Sequence, residues 1–238
     1  MFDFSGQVVM VAGAAGNLGE AVARAFAGAG ARLVLLDRGS DRLAALYPDL
    51  ARAGDHLLLT GVDAADETSV AAAVSAALGR LGRIDVLANT VGGWRGGAAT
   101  HEAALQTWDL LHDLNARTAL VLSRAVVPTM LEQGAGKIVH TAARAALAGS
   151  ARSAAYSASK AAVVRLVESL AAELGPGGIN VNCVLPGTID TPQNRAAMPK
   201  ADPGRWVPPA AIAQVFLFLA SDAAWPINGA AVPVYGRG

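Results

Sequence analysis

Short β-branched apolar runs alternate with alanine-rich stretches along the whole 238-residue chain, and this alternation restricts the fold more than any other feature. The runs are QVVMVAG (7 to 13), ARLVLLD (31 to 37), HLLLTGVD (56 to 63), IDVLANT (84 to 90), KIVHTA (137 to 142), INVNCVLPG (179 to 187) and AAVPVYG (230 to 236). Each is continuously apolar, as a strand buried on both faces should be. Strands separated by helices call for right-handed crossovers in a mostly parallel sheet. The intervening stretches carry helix punctuation: Ala-Gly-Ala-Gly ending at Gly30, Asp66 as a cap, and Gly175-Pro176 as a stop. These signals predict an α/β fold, a doubly wound, mostly parallel seven-stranded sheet in a single domain over 1–238.

Composition narrows the function. Nineteen Lys and Arg balance nineteen Asp and Glu, and 16% of residues are charged against 53% hydrophobic, which excludes a disordered chain and a basic nucleic-acid binder. No apolar run approaches the roughly twenty residues that a bilayer requires, so no membrane partner is expected. The opening MFDFSGQ has no Lys or Arg and so lacks the charged region of a signal peptide. The one cysteine, Cys183, can form no intrachain disulfide. Together these predict a soluble, cytoplasmic protein. With so little charge, either the core is large or apolar surface is covered by other subunits.

Gly13, Gly16 and Gly19 fall at the turn between the first strand and the first helix, with Asn17 and Leu18 between the last two. Backbone can approach a pyrophosphate closely at such a turn, and the amides that open the helix favour anionic oxygens. The bland alternative is a turn that merely packs helix on strand. Asp37 closes the second strand eighteen residues after Gly19, where a carboxylate accepts hydrogen bonds from the adenosine ribose and repels a 2′-phosphate. NAD(H) is therefore expected in preference to NADP(H). Arg38 either offsets that repulsion or is a solvated loop charge. Asp63 either reaches the adenine amino group or caps the next helix.

Tyr156 and Lys160 in SAAYSASKAAVV stand one helical turn apart on one face. An ammonium beside a phenol stabilises the phenolate, so that the phenol can exchange a proton nearer neutral pH. With these residues the sequence resembles the short-chain dehydrogenase/reductase family over nearly its whole length. The motifs fall in order: the glycine turn, Asp63, L-A-N-T-V-G (87 to 92), Asn115, Tyr156 with Lys160, and P-G-T-I-D-T (186 to 191). The resemblance implies a Rossmann-type fold with Tyr156 as general acid or base. Lys160 would bind the nicotinamide ribose, and Asn115 would hold a proton-relaying water. It implies further that Asn89, Val91 and Gly92 line the cofactor and that Pro186, Gly187, Thr188, Ile189 and Thr191 hold its carboxamide side.

Thirteen residues before the Tyr, where the family carries a carbonyl-polarising serine, stands Ala143. Thr141 and Ser153 are the nearest hydroxyls in sequence. V-G-G-W-R-G-G (91 to 97), A-A-R-A-A-L-A-G (142 to 149) and the stretch 185 to 206 resemble the quinonoid dihydropteridine reductase branch, which also carries Ala there. On that likeness Ala143 marks a substrate class, because a quinonoid imine depends less on an oxyanion donor than a ketone does. Two alternatives stand beside it: a broad ketone reductase or alcohol dehydrogenase, and a silent dinucleotide-binding module.

Trp94 follows a Gly-Gly pair and either stacks on a flat substrate or anchors a loop. The segment 188–208, ending near Trp206, is expected to cover a small-molecule substrate. Pro192, Pro199 and Pro203 argue against regular structure in it, and Asn194 and Arg195 either recognise a polar substrate edge or pin the segment. The four histidines are scattered, so no metal site is expected. Between Ser153 and Leu174, Val163, Val164, Leu166, Val167 and Leu170 spread beyond one stripe. A helix apolar over so much of its circumference needs cover on more than the sheet side. The family resemblance implies that this cover is a second subunit, in a homodimer or homotetramer.

Overall fold

The computed structural model describes residues 2–39 and 42–237. Within them seven parallel strands form one sheet: β1 (Val8–Ala12), β2 (Arg32–Asp37), β3 (Leu57–Thr60), β4 (Val86–Asn89), β5 (Gly136–Thr141), β6 (Ile179–Pro186) and β7 (Ala231–Val234). Their order is β3-β2-β1-β4-β5-β6-β7, and every neighbouring pair is parallel. All seven predicted runs are strands, with ends up to three residues inside the apolar pattern except in β5, which begins one residue earlier, at Gly136.

All five residues of β1 are fully buried, and the pleat divides them between two cores. Met10 and Ala12 join Val34, Leu122, Val126, Val163, Val167 and Val181 on one face. That side is covered by α4 (Glu67–Leu81), α6 (Thr118–Gln133) and α7 (Ala154–Leu174). Val9 and Val11 join Phe26, Leu33, Leu35, Leu43, Leu50, Ile212 and Phe216 on the other face, under α1 (Asn17–Gly28), the short α2 (Arg42–Leu46) and α3 (Pro48–Ala53), and α9 (Pro209–Ala220). Burial on both faces is why the strands read as unbroken apolar runs.

The helix signals lie where the chain uses them. α1 closes at Gly28, and Asp66 caps α4 by accepting the Ser69 N–H at 2.6 Å. α7 ends at Gly175, whose neighbour Pro176 cannot continue it. Much of the wide apolar face of α7 is satisfied within the monomer. Val163, Val164, Val167, Ala171 and Leu174 are buried, and Leu166 and Leu170 are partly covered.

Among the described residues, five of the nine exposed large apolar side chains lie on α5 (Leu105–Leu111) and α6, namely Leu105, Trp108, Leu110, Leu120 and Leu131, and the others are Trp94, Leu147, Met198 and Trp225. Between α5 and α6 the chain passes through one π-helical segment, His112–Arg117. Among the described residues no helix is long and apolar enough to cross a membrane.

The segment 188–208 contains more regular structure than its prolines suggested. Pro192 opens a short helix, α8 (Pro192–Ala197), and Pro203 opens a 3₁₀ turn, Pro203–Arg205. Both occupy a first helical position, where no amide hydrogen is needed and the fixed φ suits the helix. The two ends of the segment are joined by a bridge between Ile189 and Val207.

Candidate active site

The strand order reverses between β1 and β4, and the loops leaving their carboxyl ends diverge to leave a crevice there. A cleft of about 700 Å³ occupies it. Gly16, Asn17, Leu18 and Gly19 line one end. Gly13 has φ +76°, and a Cβ at Gly19 would lie 2.0 Å from the Gly13 oxygen, so this turn needs glycine at both positions. The cap residue of α1, Gly16, brings no side chain to its first amides. Asp37 comes from the end of β2 and accepts the Ala15 N–H (3.0 Å) and the Gly39 N–H (2.9 Å), which holds its carboxylate beside the turn.

The loop after β4 forms the next wall, with Thr90, Gly92, Gly93 and Trp94 on the cleft. Asn89 and Val91 are not on that wall. Asn89 is buried, offers Nδ2 to His140 Nδ1 (3.1 Å) and accepts the Val91 N–H (3.0 Å). It thus shapes the loop from behind. His140 Nε2 in turn meets Ser123 Oγ at 2.9 Å, and Ser123 donates to the Ala119 carbonyl. The chain of donors requires the Nε2–H tautomer of His140. Full burial pushes its pKa down to about 3, so it is neutral.

Asn115 sits in the π-helical segment, 1% exposed, behind the same loop. Its Oδ1 accepts the Gly93 N–H (3.0 Å), and its Nδ2 donates to the Gly93 carbonyl (3.1 Å) and to Ser159 Oγ (3.0 Å). The bond to Ser159 ties the segment to α7, where Ser159 itself donates to the Tyr156 carbonyl. Lys160 is 3% exposed, with Nζ donating to the Thr141 carbonyl at 2.8 Å. A Cβ on Gly92 would stand 2.8 Å from Lys160 Nζ and 2.9 Å from Asn115 Oδ1. The missing side chain at Gly92 therefore brings the ammonium and the amide to one spot.

Tyr156 and Lys160 both line the cleft. Burial pushes the Tyr156 phenol up to about 12 and the Lys160 ammonium down to about 8. The expected lowering of the phenol by the ammonium is not seen in this state, in which Lys160 is turned to Thr141 and burial alone acts on Tyr156.

Ala143 lines the cleft between Ala142 and Arg144. The nearby Thr141 hydroxyl donates to the Asn89 carbonyl at 2.8 Å, which occupies its proton. Pro186, Gly187, Thr188, Ile189 and Thr191 line the far wall, with Asn194, Ala197 and Met198 above them. Asn194 and Arg195 pin this segment. Asn194 Nδ2 donates to the Ile189 carbonyl (2.8 Å), and Arg195 pairs with both oxygens of Asp190 (2.6 and 2.8 Å). Asn17 also bonds Gln193 (2.9 Å), linking the segment to the glycine turn.

Gly13, Asp37, Arg38, Asp63 and Trp206 do not border the cleft. Asp63 is exposed and accepts the Ala65 N–H in the turn before α4, while Trp206 lines a smaller neighbouring cavity. Arg144 borders both cavities and was not singled out from the sequence, nor were Thr90, Gly93, Ala197 and Met198. Among the described residues no group of three His, Cys, Asp or Glu is placed to hold a metal ion.

The family described as short chain dehydrogenase matches residues 7–202. D-threitol dehydrogenase of Mycolicibacterium smegmatis is 38% identical, over 99% of this chain and 94% of that protein. Cis-4-hydroxycyclohexanecarboxylate dehydrogenase of Sinomonas cyclohexanicum is 35% identical, over 98% of this chain and 96% of that protein. A solved short-chain type dehydrogenase/reductase from Mycobacterium ulcerans superposes with a TM-score of 0.92 at 26% identity, covering 99% of this chain and 90% of that one.

Proposed function

The chain belongs to the short-chain dehydrogenase/reductase family and is a nicotinamide-dependent oxidoreductase, and from that premise we propose that it moves hydride between NAD(H) and a secondary alcohol or its ketone, with Tyr156 as proton donor and acceptor. The observation that carries this reading is one cleft bordered by the glycine turn, Tyr156, Lys160 and the 186–191 loop together. Two relatives named for dehydrogenating a polyol and a hydroxy acid support alcohol chemistry.

The residues fit a dinucleotide. The first amides of α1 open on the cleft with no side chain capping them, and Gly92 lets Lys160 come close to the backbone of the cleft wall. Gly16, Asn17, Leu18 and Gly19 would hold the pyrophosphate. Asp37 would accept the ribose hydroxyls on its remaining lone pairs and repel a 2′-phosphate. Lys160 would hold the nicotinamide ribose, and Pro186, Gly187, Thr188, Ile189 and Thr191 the carboxamide side. Bound there, the nicotinamide supplies or accepts the hydride. In reduction, the Tyr156 hydroxyl donates its proton to the carbonyl oxygen, and burial keeps that phenol protonated until it does. Lys160 keeps a positive charge beside it below about pH 8. Asn115, clamped to Gly93 and Ser159, positions the wall behind them.

A second reading rests on Ala143. With no hydroxyl at that position and the Thr141 proton already donated, a quinonoid imine such as quinonoid dihydropterin is an acceptor that does not need the missing donor. The apolar side chains on α5 and α6 support a homodimer or homotetramer, and the single buried cysteine supports a reducing, cytoplasmic setting.

Absorbance of NADH, followed with polyols, hydroxy acids, diketones and quinonoid dihydropterin in the appropriate direction, tests these assignments. Turnover is expected with at least one alcohol–ketone pair. NADH should be favoured over NADPH by about tenfold or more. Tyr156→Phe should lower kcat by about 100-fold or more. Absence of turnover across the panel, or a Tyr156→Phe enzyme as fast as the parent, overturns the assignment.

A further inference from the structure

Of the nine large apolar side chains that the described residues leave exposed, two line the cleft: Trp94, 61% exposed, from the loop after β4, and Met198, 39% exposed, from the residue after α8. A tryptophan that anchors a loop is buried by it, and Trp94 is not. Its ring rests instead against Gly96, where a Cβ would stand 2.8 Å from the indole, so a glycine at 96 lets the ring lie against backbone. Gly97 donates its N–H to the Arg152 carbonyl at 3.0 Å, one residue before the cap of α7. Arg152 holds φ +62°, a left-handed conformation that is costly for a residue with a side chain. The loop is thus braced against the start of the helix that carries Tyr156, and the brace presents the indole rather than hiding it.

Ala143, Ala145 and Ala197 bring methyl groups to the same cleft. Polar side chains beside them are turned to the protein. Thr141 Oγ1 donates to the Asn89 carbonyl, Asn194 Nδ2 donates to the Ile189 carbonyl, and Arg144 is already engaged, its guanidinium lying 5.5 Å from the centroid of the Tyr235 ring. A polyhydroxylated or charged ligand would bury polar groups there without partners. We propose that Trp94 and Met198 set the substrate class: an uncharged secondary alcohol or ketone whose reacting carbon lies in a carbocyclic ring, laid flat on the indole. The inference rests on the oxidoreductase reading and names its substrate. A ring matches the flat indole over more area than a flexible chain does, and it gives up fewer rotations on binding. The unbranched thioether of Met198 adapts to the ring from another wall. Apolar contact away from the carbonyl then orients it against Tyr156, a task otherwise assisted by a hydroxyl at 143.

The test compares kcat/KM for NADH-linked reduction of cyclohexanone with that of the open-chain methyl ketone of equal carbon number and with that of a polyhydroxylated ketone. Cyclohexanone is expected to lead each by about tenfold or more. Trp94→Ala should bring the ring-to-chain ratio down by about tenfold, chiefly through KM, and Trp94→Phe should keep most of it. Gly96→Ala, which keeps the indole but removes the place where it rests, should lower the ratio as well. A ratio near one in the parent enzyme, a polyhydroxylated ketone that surpasses cyclohexanone, or a ratio unchanged in Trp94→Ala overturns the proposal. Saturation-transfer NMR with cyclohexanol separates the two inferences, because it reads binding without turnover. If no ketone or alcohol turns over, the oxidoreductase reading fails. Ring-proton signals that weaken severalfold in Trp94→Ala then still support the ring site, and equal signals from parent and variant overturn it.

Discussion

At the scale of single residues, the site depends on one absent side chain and one buried charge. Gly92 is glycine because Lys160 Nζ and Asn115 Oδ1 occupy the space a Cβ would need. Lys160 in turn is held as a buried ammonium by one carbonyl, that of Thr141. Because burial lowers its pKa to about 8, Lys160 is charged below that pH and loses its proton above it. The kcat/KM for NADH in the reductive direction should therefore be level below about pH 8 and fall about tenfold per unit above it. A profile that stays level to pH 10 would remove Lys160's charge from the mechanism. The same scale shows what residue patterns conveyed and what they left out. Tyr156 and Lys160 stand out because four residues of helix fix their separation. Arg144 does not, because its place between two cavities comes from the 3₁₀ turn Arg144–Ala146, and nothing in A-A-R-A-A announces that turn.

At the scale of elements, two helices and two strands meet through buried polar groups. The π-helical segment between α5 and α6 carries Asn115 toward Gly93 and Ser159, a place where such a distortion often serves a site. Its chain has no breaker residue, and HDLNAR reads from sequence as ordinary helix. On the neighbouring strands, Asn89 of β4 and His140 of β5 form a bonded line that ends at Ser123 of α6. His140 has a folded pKa of about 3, below its ordinary 6.5, so the unfolded chain takes up this proton first as the solution is acidified. The contribution is complete above pH 6.5 and is lost as pH falls toward 3. Between pH 7 and pH 5 this one group should lower stability by about 2 kcal/mol. Urea unfolding at the two pH values should show that difference shrinking by about the same amount in His140→Gln. An identical pH difference in parent and variant would mean that the imidazole is not held neutral. The elements themselves were largely legible. β1 to β7 declare themselves because burial on both faces leaves no polar alternation, whereas α8 was hidden because a proline at a helix's first position looks like a proline in a loop.

At the scale of the whole molecule, the apolar residues of this low-charge chain fill two cores and leave a remainder exposed. The wide apolar surface of α7 is largely used inside the monomer, and five exposed large apolar side chains lie on α5 and α6. Leu120 and Leu131 lie three turns apart on one side of α6, with Trp108 exposed on α5. Sedimentation at micromolar concentration should give a particle of two or four times the 24.1 kDa chain, and Leu120→Glu combined with Trp108→Glu should shift it toward the monomer. A parent protein that sediments as a single chain would assign those side chains no subunit contact.

The strand order carries one more consequence, for synthesis. Val9 pairs with Val86, so the crevice between β1 and β4 has no second wall until nearly ninety residues have been made. Tyr156 and the far wall, Pro186 to Thr191, arrive later still. A nascent chain displays the glycine turn long before it owns the groove that turn serves, and the dinucleotide can reward folding only near the end of translation.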